Sequence, residues 1–435
     1  MKFFIHTLGC KVNQYESQAI SENLLFNGYE KAKSDEEADI LIINSCTVTS
    51  VSDQKVRKLA RRLKRSNPEA IVILTGCMPQ AFSEKAEEFD YADIVLGNSD
   101  KLSVVSYIKQ FLSDKRKRIV SVKPYTKESK FEKINISHFD ERTRAFIKIE
   151  DGCDRFCSYC IIPYARGRVR SKNIEDIKEE LEKLSEAGYK EVVLTGINLC
   201  AYGKDLNLNL CDAVNTACSI KGINRVRLSS LEPDMIDIGI LKAFSQQEKF
   251  CPHFHLVLQS GCDKTLKKMN RHYNTSEYFD VVNNIYKYFK NPSITTDVMV
   301  GFPGETEDDF NESVNFMKKV DFAKVHVFPY SIRKGTKAAE FPNQITKAEK
   351  TRRAKIMADV CNELRREFLK SQIGQIEDVL FETKQKENNV YEGYTKNYTP
   401  VKCNYNNGSL VGKLEKVRIV DLNENKDKCV AEKIK

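Results

Sequence analysis

Four short, continuous apolar runs dominate the first hundred residues: FFIHTLGC (Phe3 to Cys10), ADILIINSC (Ala38 to Cys46), AIVILTGC (Ala70 to Cys77) and ADIVLGN (Ala92 to Asn98). They are rich in Ile and Val and have no polar alternation, the pattern of parallel strands buried on both faces. Between them Val56, Leu59, Ala60 and Leu63 recur at helical spacing, as do Ile20 and Leu24. This βαβ alternation predicts a doubly wound parallel sheet. The carboxyl ends of parallel strands share one edge, and Cys10, Cys46 and Cys77 each close a run. Three thiols spread over about seventy residues are thus expected to meet in space.

A second βα series follows a Lys-, Ser- and Glu-rich stretch of weak periodicity. Its six strand candidates are Ala145 to Glu150, Glu191 to Gly196, Arg225 to Leu231, His253 to Ser260, Thr295 to Gly301 and Lys324 to Ser331, with helical segments such as Ile174 to Gly188 between them. Six such units predict a partial (βα)6 barrel whose reactive groups lie on the loops leaving the strands. A helix from about Thr346 to Ser371 is closed by Gly374. From Ile376 onward, short alternating strands with Asn and Gly turns predict a small all-β barrel. The expected α/β organisation is a sheet domain at 1–114, a linker at 115–143, the partial barrel at 144–373 and the all-β barrel at 374–435.

At 435 residues the chain exceeds one hydrophobic core. No run of about 18 apolar residues is present, and MKFFIHTLGC is too short in its apolar part for a signal peptide. A cytoplasmic protein without membrane association is expected. In a reducing compartment fourteen cysteines are metal or redox candidates where they are closely spaced, and small core residues elsewhere. The net charge is +9, with seven basic residues between Lys55 and Arg65 and a KRKR run at Lys115 to Arg118. Such clusters suit a solvated face or a phosphate-rich partner.

The densest thiol group is DGCDRFCSYC, which places Cys153, Cys157 and Cys160 on the loop after the first barrel strand. A structural zinc site asks for four ligands, and no fourth Cys or His lies nearby. Three thiolates can instead hold three irons of a four-iron, four-sulfur cluster and leave the fourth iron open to a reactant.

This CxxxCxφC loop, with Tyr159 as the aromatic residue, resembles the radical S-adenosylmethionine superfamily. TLGCKVNQYES (Thr7 to Ser17), NSCTVTSVSDQK (Asn44 to Lys55), LTGCMPQ (Leu74 to Gln80), the stretch KIEDGCDRFCSYCIIPYARGRVRS, LTGIN, SSLEP, LQSG and GFPGET together resemble the methylthiotransferases over nearly the whole chain. The terminal barrel is similar to a TRAM domain. GCKVN and CTVT resemble the branch acting on threonylcarbamoyladenosine in tRNA, whereas the isopentenyladenosine branch commonly has GCQMN and the ribosomal-protein aspartate branch GCPKN.

The resemblance implies a second 4Fe–4S cluster on Cys10, Cys46 and Cys77. One S-adenosylmethionine would methylate a sulfur species there. A second, cleaved at the Cys153/Cys157/Cys160 cluster, would supply the radical that promotes methylthio transfer to carbon 2 of the adenine at tRNA position 37. It further implies that both clusters face one cavity, with the sheet edge over the carboxyl end of the barrel. The implied partners are a tRNA anticodon stem-loop, an electron donor such as flavodoxin or ferredoxin, and a sulfur source; a monomer is expected because no heptads or obvious assembly helix appear. Another adenosine, or a ribosomal-protein aspartate, is the alternative substrate; a zinc-containing RNA-binding protein is the alternative class.

Strand ends propose the S-adenosylmethionine pocket: Thr195 and Gly196, Ser229 and Glu232, Gln259 and Ser260, Asp297 and Gly301, and Phe328 to Tyr330. Arg166, Arg168 and Arg170 are candidates for phosphate or carboxylate contact, or for surface salt bridges. Tyr391, Tyr394, Tyr398 and Tyr405 suit either RNA stacking or packing within a small barrel. Cys200 lies near the top of the barrel, where it could approach a cluster or be a buried spectator. Cys211, Cys218, Cys251, Cys262, Cys361, Cys403 and Cys429 show no ligand spacing.

Overall fold

Every residue of ILIINS and IVILTG is buried, because these two runs form the middle of a parallel sheet covered by helices on both sides. The computed structural model describes residues 1–126, 128–139, 142–385 and 388–434; positions 127, 140 and 141 of the expected linker lie outside them. The sheet contains β1 (Lys2–Thr7), β2 (Glu30–Lys31), β3 (Ile40–Ser45), β4 (Ile71–Gly76), β5 (Ile94–Leu96) and β6 (Ile119–Ser121), in the order β2-β1-β3-β4-β5-β6. Alternate side chains leave opposite faces of a strand. Leu41, Ile43, Val72 and Leu74 therefore pack with Val56, Ala60 and Leu63 of helix Ser50–Ser66. Ile40, Ile42, Ile71 and Ile73 pack on the other side with Ile20, Leu24 and Ile108. Residues 119–121, expected within the linker, form an edge strand of this sheet.

The second series contains β7 (Arg144–Lys148), β8 (Glu150–Asp151), β9 (Arg170–Ser171), β10 (Glu191–Thr195), β11 (Arg225–Leu228), β12 (Ser230–Leu231), β13 (His253–Leu256), β14 (Ser293–Val300) and β15 (Lys324–Pro329). Parallel pairing follows β7-β10-β11 and, after a break at Ser229, β12-β13-β14-β15. Strands β7 and β15 are terminal in this order, so the barrel is open there. Helix Lys11–Phe26 of the first layer packs against β7, and its Tyr15 and Ala19 join the barrel core. Tyr15 donates to Ile134 O (2.9 Å) and Glu180 Oε1 (2.8 Å).

The last unit is a closed barrel of β16 (Ile376–Lys384), β17 (Val390–Thr395), β18 (Pro400–Asn404), β19 (Leu414–Leu422) and β20 (Cys429–Lys433). One buried carboxylate organises its joint with the central barrel. Glu191 is paired with Arg227 at 2.8 Å, Arg225 at 3.4 Å and Arg144 at 3.8 Å. Arg225 donates to Tyr394 O (3.0 Å) and Arg227 to Lys396 O (3.1 Å), while Arg144 lies 5.2 and 5.0 Å over the Tyr394 and Tyr398 rings.

This joint decides the role of the tyrosines. Tyr394 and Tyr398 stack on each other at 4.6 Å, and Tyr398 also meets His253 at 4.7 Å. Tyr391 is in the small barrel's core and Tyr405 packs against it. Of the two readings, packing is what the structure displays for these rings, and Tyr394 and Tyr398 also line an open cavity.

Burial alone would raise the Glu191 carboxyl, but Arg227, Arg144 and Arg225 outweigh it and hold it below its ordinary value of 4.5. The stability this group contributes is full above the ordinary value and is lost as pH falls through the lower folded value. Glu382, raised by burial, acts in the opposite sense. Acid unfolding of Glu191→Gln is therefore expected to lose part of the pH dependence seen in the parent; superimposable acid profiles would refute this role.

Candidate active site

The register aligns Thr7 with Asn44 and Asn44 with Thr75, so β1, β3 and β4 end together. Cys10 caps helix Lys11–Phe26, Cys46 follows β3, and Cys77 opens a short helix after β4. The three thiols thus lie just beyond the strand ends, not on the last strand residues. Cys46 is within electrostatic reach of both Cys77 and Cys10, and burial above all raises its thiol to about 11. Gly9 permits this approach: at φ +125° a Cβ there would lie 2.9 Å from that of Cys46.

Arg166 is fully buried in this layer. Its Nε donates to Cys77 Sγ at 3.3 Å, and Nη2 donates to Asn13 Oδ1 at 2.8 Å and Glu16 Oε2 at 3.0 Å. Nη1 reaches Asp151 at 3.3 Å. Glu16 is also paired with Lys101 and Lys148, so one buried network joins the sheet domain to the barrel. The expected surface role of Arg166 is corrected by this burial. Arg170 is buried too, donating to Arg166 O and Arg168 O and lying 4.4 Å over the Tyr125 ring. Arg168 is exposed and paired with Asp154 at 3.4 Å.

The second thiol loop leaves β8 and returns through β9, whose short antiparallel pair clamps its base. Cys153 N donates to Gly167 O and Cys160 N to Cys157 O, both at 3.0 Å. Burial chiefly pushes the Cys153 and Cys160 thiols up to about 12, and each is within electrostatic reach of Cys157. Arg271 Nη1 donates to Cys157 Sγ at 3.1 Å and also pairs with Glu232. Glu232 N in turn donates to Cys200 Sγ at 3.2 Å. Cys200 therefore supports Glu232's backbone, and the structure places it in no thiol triad.

Gly152 has φ +93°, and a Cβ there would lie 1.9 Å from Arg168 O. Gly152→Ala is expected to cost roughly 2–4 kcal/mol through strain and steric overlap, with loss of bound iron. Denaturant midpoints and iron analysis check this; a parent-like midpoint would remove the steric argument.

Ser229, Asp297 and Phe328 line a cavity of about 880 Å³, and Cys10 opens onto the same space. Thr195, Gly196, Glu232, Gln259, Ser260, Gly301 and Tyr330 are not among its lining residues. Thr195 Oγ1 donates to Ile147 O, and Ser260 Oγ accepts from Cys262 N. Gln259 bridges to Val298 beside β14, and Gly301 N donates to Glu305. Tyr330 packs with Phe302, Met269 and Tyr159 beneath the thiol loop. Gly196 lies against Glu150, whose Oε2 accepts from Asn198 N at 2.7 Å.

Several polar atoms here are buried without a partner: Glu150 Oε1, Asn198 Oδ1, Ser229 Oγ and Tyr330 OH. Such orphans suit a polar ligand. Among the described residues, no three His, Cys, Asp or Glu side chains are arranged around a single metal ion. A four-iron cluster sets each thiolate on its own iron, so its triad is wider than that of one ion. The donor set thus fits cluster ligation and S-adenosylmethionine binding. Sequence reasoning assigned no role to Glu16 and Glu150, although both lie inside the quoted motifs, and it missed Arg271, which lies in none. It also missed Arg333, which pairs with Asp53 at 2.8 Å and donates to Thr47 at 2.7 Å.

Two family models match the chain: Uncharacterized protein family UPF0004 over residues 2–97 and the Radical SAM superfamily over residues 147–317. Threonylcarbamoyladenosine tRNA methylthiotransferase MtaB of Bacillus subtilis is 36% identical over 95% of this chain and 93% of its own length. The chain belongs to the radical S-adenosylmethionine methylthiotransferases. It is therefore a radical S-adenosylmethionine transferase, a class that works with an iron–sulfur cluster and S-adenosylmethionine. The MtaB of Thermotoga maritima is 38% identical over 97% of this chain and 94% of its own. A tRNA-2-methylthio-N(6)-dimethylallyladenosine synthase of Clostridium botulinum (strain Loch Maree / Type A3) is 37% identical over 97% and 95%. The methyltransferase TsrM of Kitasatospora setae shares the fold, with TM-score 0.56 and 12% identity over 78% of this chain and 76% of that one. Among the described residues no helix is long and apolar enough to cross a membrane.

Proposed function

We propose that this methylthiotransferase acts on tRNA, placing a methylthio group on carbon 2 of N6-threonylcarbamoyladenosine at position 37, with S-adenosylmethionine and two 4Fe–4S clusters. The observation that carries the reading is the chamber shared by Cys10 with Ser229, Asp297 and Phe328. It supports the reading by bringing the first thiol loop, through Cys10, onto one space with three of the residues expected at the cofactor pocket. Relatives named for the threonylcarbamoyl and dimethylallyl nucleosides are about equally identical, so the choice of nucleoside rests on GCKVN and CTVT.

In this reading Cys153, Cys157 and Cys160 hold one cluster, and Cys10, Cys46 and Cys77 hold the other. When bound, the cofactors supply the electron, the radical and the sulfur chemistry needed at an unactivated carbon–hydrogen bond. The protein's own part is placement. Arg271 and Arg166 each direct an N–H to one of these sulfurs, fixing its position. Glu150 and Asn198 offer fixed polar atoms at the end of β10. Asp297 is oriented by His255 at 3.5 Å. A one-electron donor and a sulfur source complete the balance.

Anaerobic iron and sulfide analysis is expected to give about eight irons per reconstituted chain, and nucleoside mass spectrometry of tRNA from cells lacking the protein is expected to lose methylthiolated threonylcarbamoyladenosine. Four irons, or an unchanged nucleoside in a strain with no second such enzyme, would reject the corresponding part.

A further inference from the structure

The chamber wall is lopsided in charge. Lys11, Lys324 and Arg365 border it with His253, His255 and His326, and the carboxylates on the lining are Asp297 and Asp427. Its other cations are already paired: Arg144 and Arg227 with Glu191, and Lys428 with Glu392 at 2.5 Å. Asp297 faces His255. Lys11, Lys324 and Arg365 differ. Among the described residues none of them has a carboxylate within ion-pair distance, although Arg365 donates to Ala323 O at 3.0 Å. All three line the same chamber: His326 is within electrostatic reach of both Lys324 and Lys11, and Lys324 is within reach of Arg365. Cations sharing a partly enclosed space repel and lose hydration, and an incoming anion relieves both costs. Lys11 follows Cys10 directly, so such an anion would sit beside the first thiol triad.

Resting on the function proposed above, we propose that Lys11 and Lys324, with Arg365 beside Lys324, form an anion subsite for the carboxylate on the N6 substituent of the target adenosine. The subsite favours a carboxylate-bearing nucleoside over one carrying a neutral alkyl group. A backbone phosphate of the same nucleotide would use the same chemistry, and the test separates the two sources.

The reconstituted holoenzyme is assayed on two anticodon stem-loop RNAs, one with N6-threonylcarbamoyladenosine and one with its methyl ester, which is neutral at that position. The parent is expected to prefer the acid. Removing one charge-assisted hydrogen bond, as in Lys324→Gln or Lys11→Gln, is expected to lower the acid-to-ester ratio of kcat/KM about tenfold or more. Lys324→Arg is expected to retain the ratio. Equilibrium binding of the two RNAs without reductant should shift in the same sense, and thermal unfolding of each variant verifies its fold. Equal losses on acid and ester would assign the lysines to phosphate and overturn the carboxylate subsite, as would a ratio unmoved in both Gln variants. Failure of the parent on both RNAs would instead bring down the nucleoside reading, and the subsite with it.

Discussion

Replacing Arg166 with methionine is expected to destabilise the protein by about 3–5 kcal/mol, the usual cost of removing one partner from a buried ion network. The guanidinium is fully buried and contacts Glu16, Asp151, Asn13 and Cys77 at once. Without it Glu16 keeps Lys101 and Lys148, but Asn13 Oδ1 and Cys77 lose a donor in a dry setting. Lysine at this position would keep the charge and lose the planar fork, so Arg166→Lys should recover part of the stability and little of the geometry. Urea unfolding at constant m gives the energy, and low-temperature electron paramagnetic resonance of the reduced protein reports on the Cys77 environment. A midpoint shift worth less than about 1 kcal/mol would mean that the network is energetically neutral.

Substituting single ligands is expected to separate the two triads. On the proposed two-cluster reading, Cys157→Ala should lose about four of eight irons and all reductive cleavage of S-adenosylmethionine, because it would remove one of the three proposed sulfur ligands from the loop clamped by β8 and β9. Cys10→Ala should lose the other irons, retain cleavage of S-adenosylmethionine to 5′-deoxyadenosine, and make no methylthiolated product. Chromatography of the nucleoside products together with iron analysis reads both outcomes. Loss of cleavage in both variants, with the fold intact, would show that the triads do not divide the work in this way.

Much of this arrangement is legible from local pattern. Doubly buried strands read as unbroken Ile- and Val-rich runs because neither face meets water; β3, β4 and β5 fall within the runs expected for them, and β1 begins one residue earlier, at Lys2. Each of the six expected barrel runs overlaps a strand, with β7 beginning one residue and β14 two residues before the expected start. The meeting of Cys10, Cys46 and Cys77 followed from parallel topology, since aligned strands bring their following turns to one edge. Spacing alone singled out Cys153, Cys157 and Cys160 because one loop contains all three.

Other features depended on which surface is packed against which, and this leaves no periodic trace. Arg166, Arg168 and Arg170 alternate along five residues, yet one enters the sheet domain, one meets solvent and one lies over Tyr125. Tyr394 and Tyr398 suited either RNA stacking or packing, and only the structure puts the Glu191-paired Arg144 against them. Lys11 and Lys324 belong to different domains, and only their docking puts both on one chamber wall. Thus the amino-acid order determined the elements and each thiol triad, through burial periodicity and turn position. Tertiary structure alone decided the partners of isolated charges and aromatic rings, because a charge or ring takes its role from the surface brought against it.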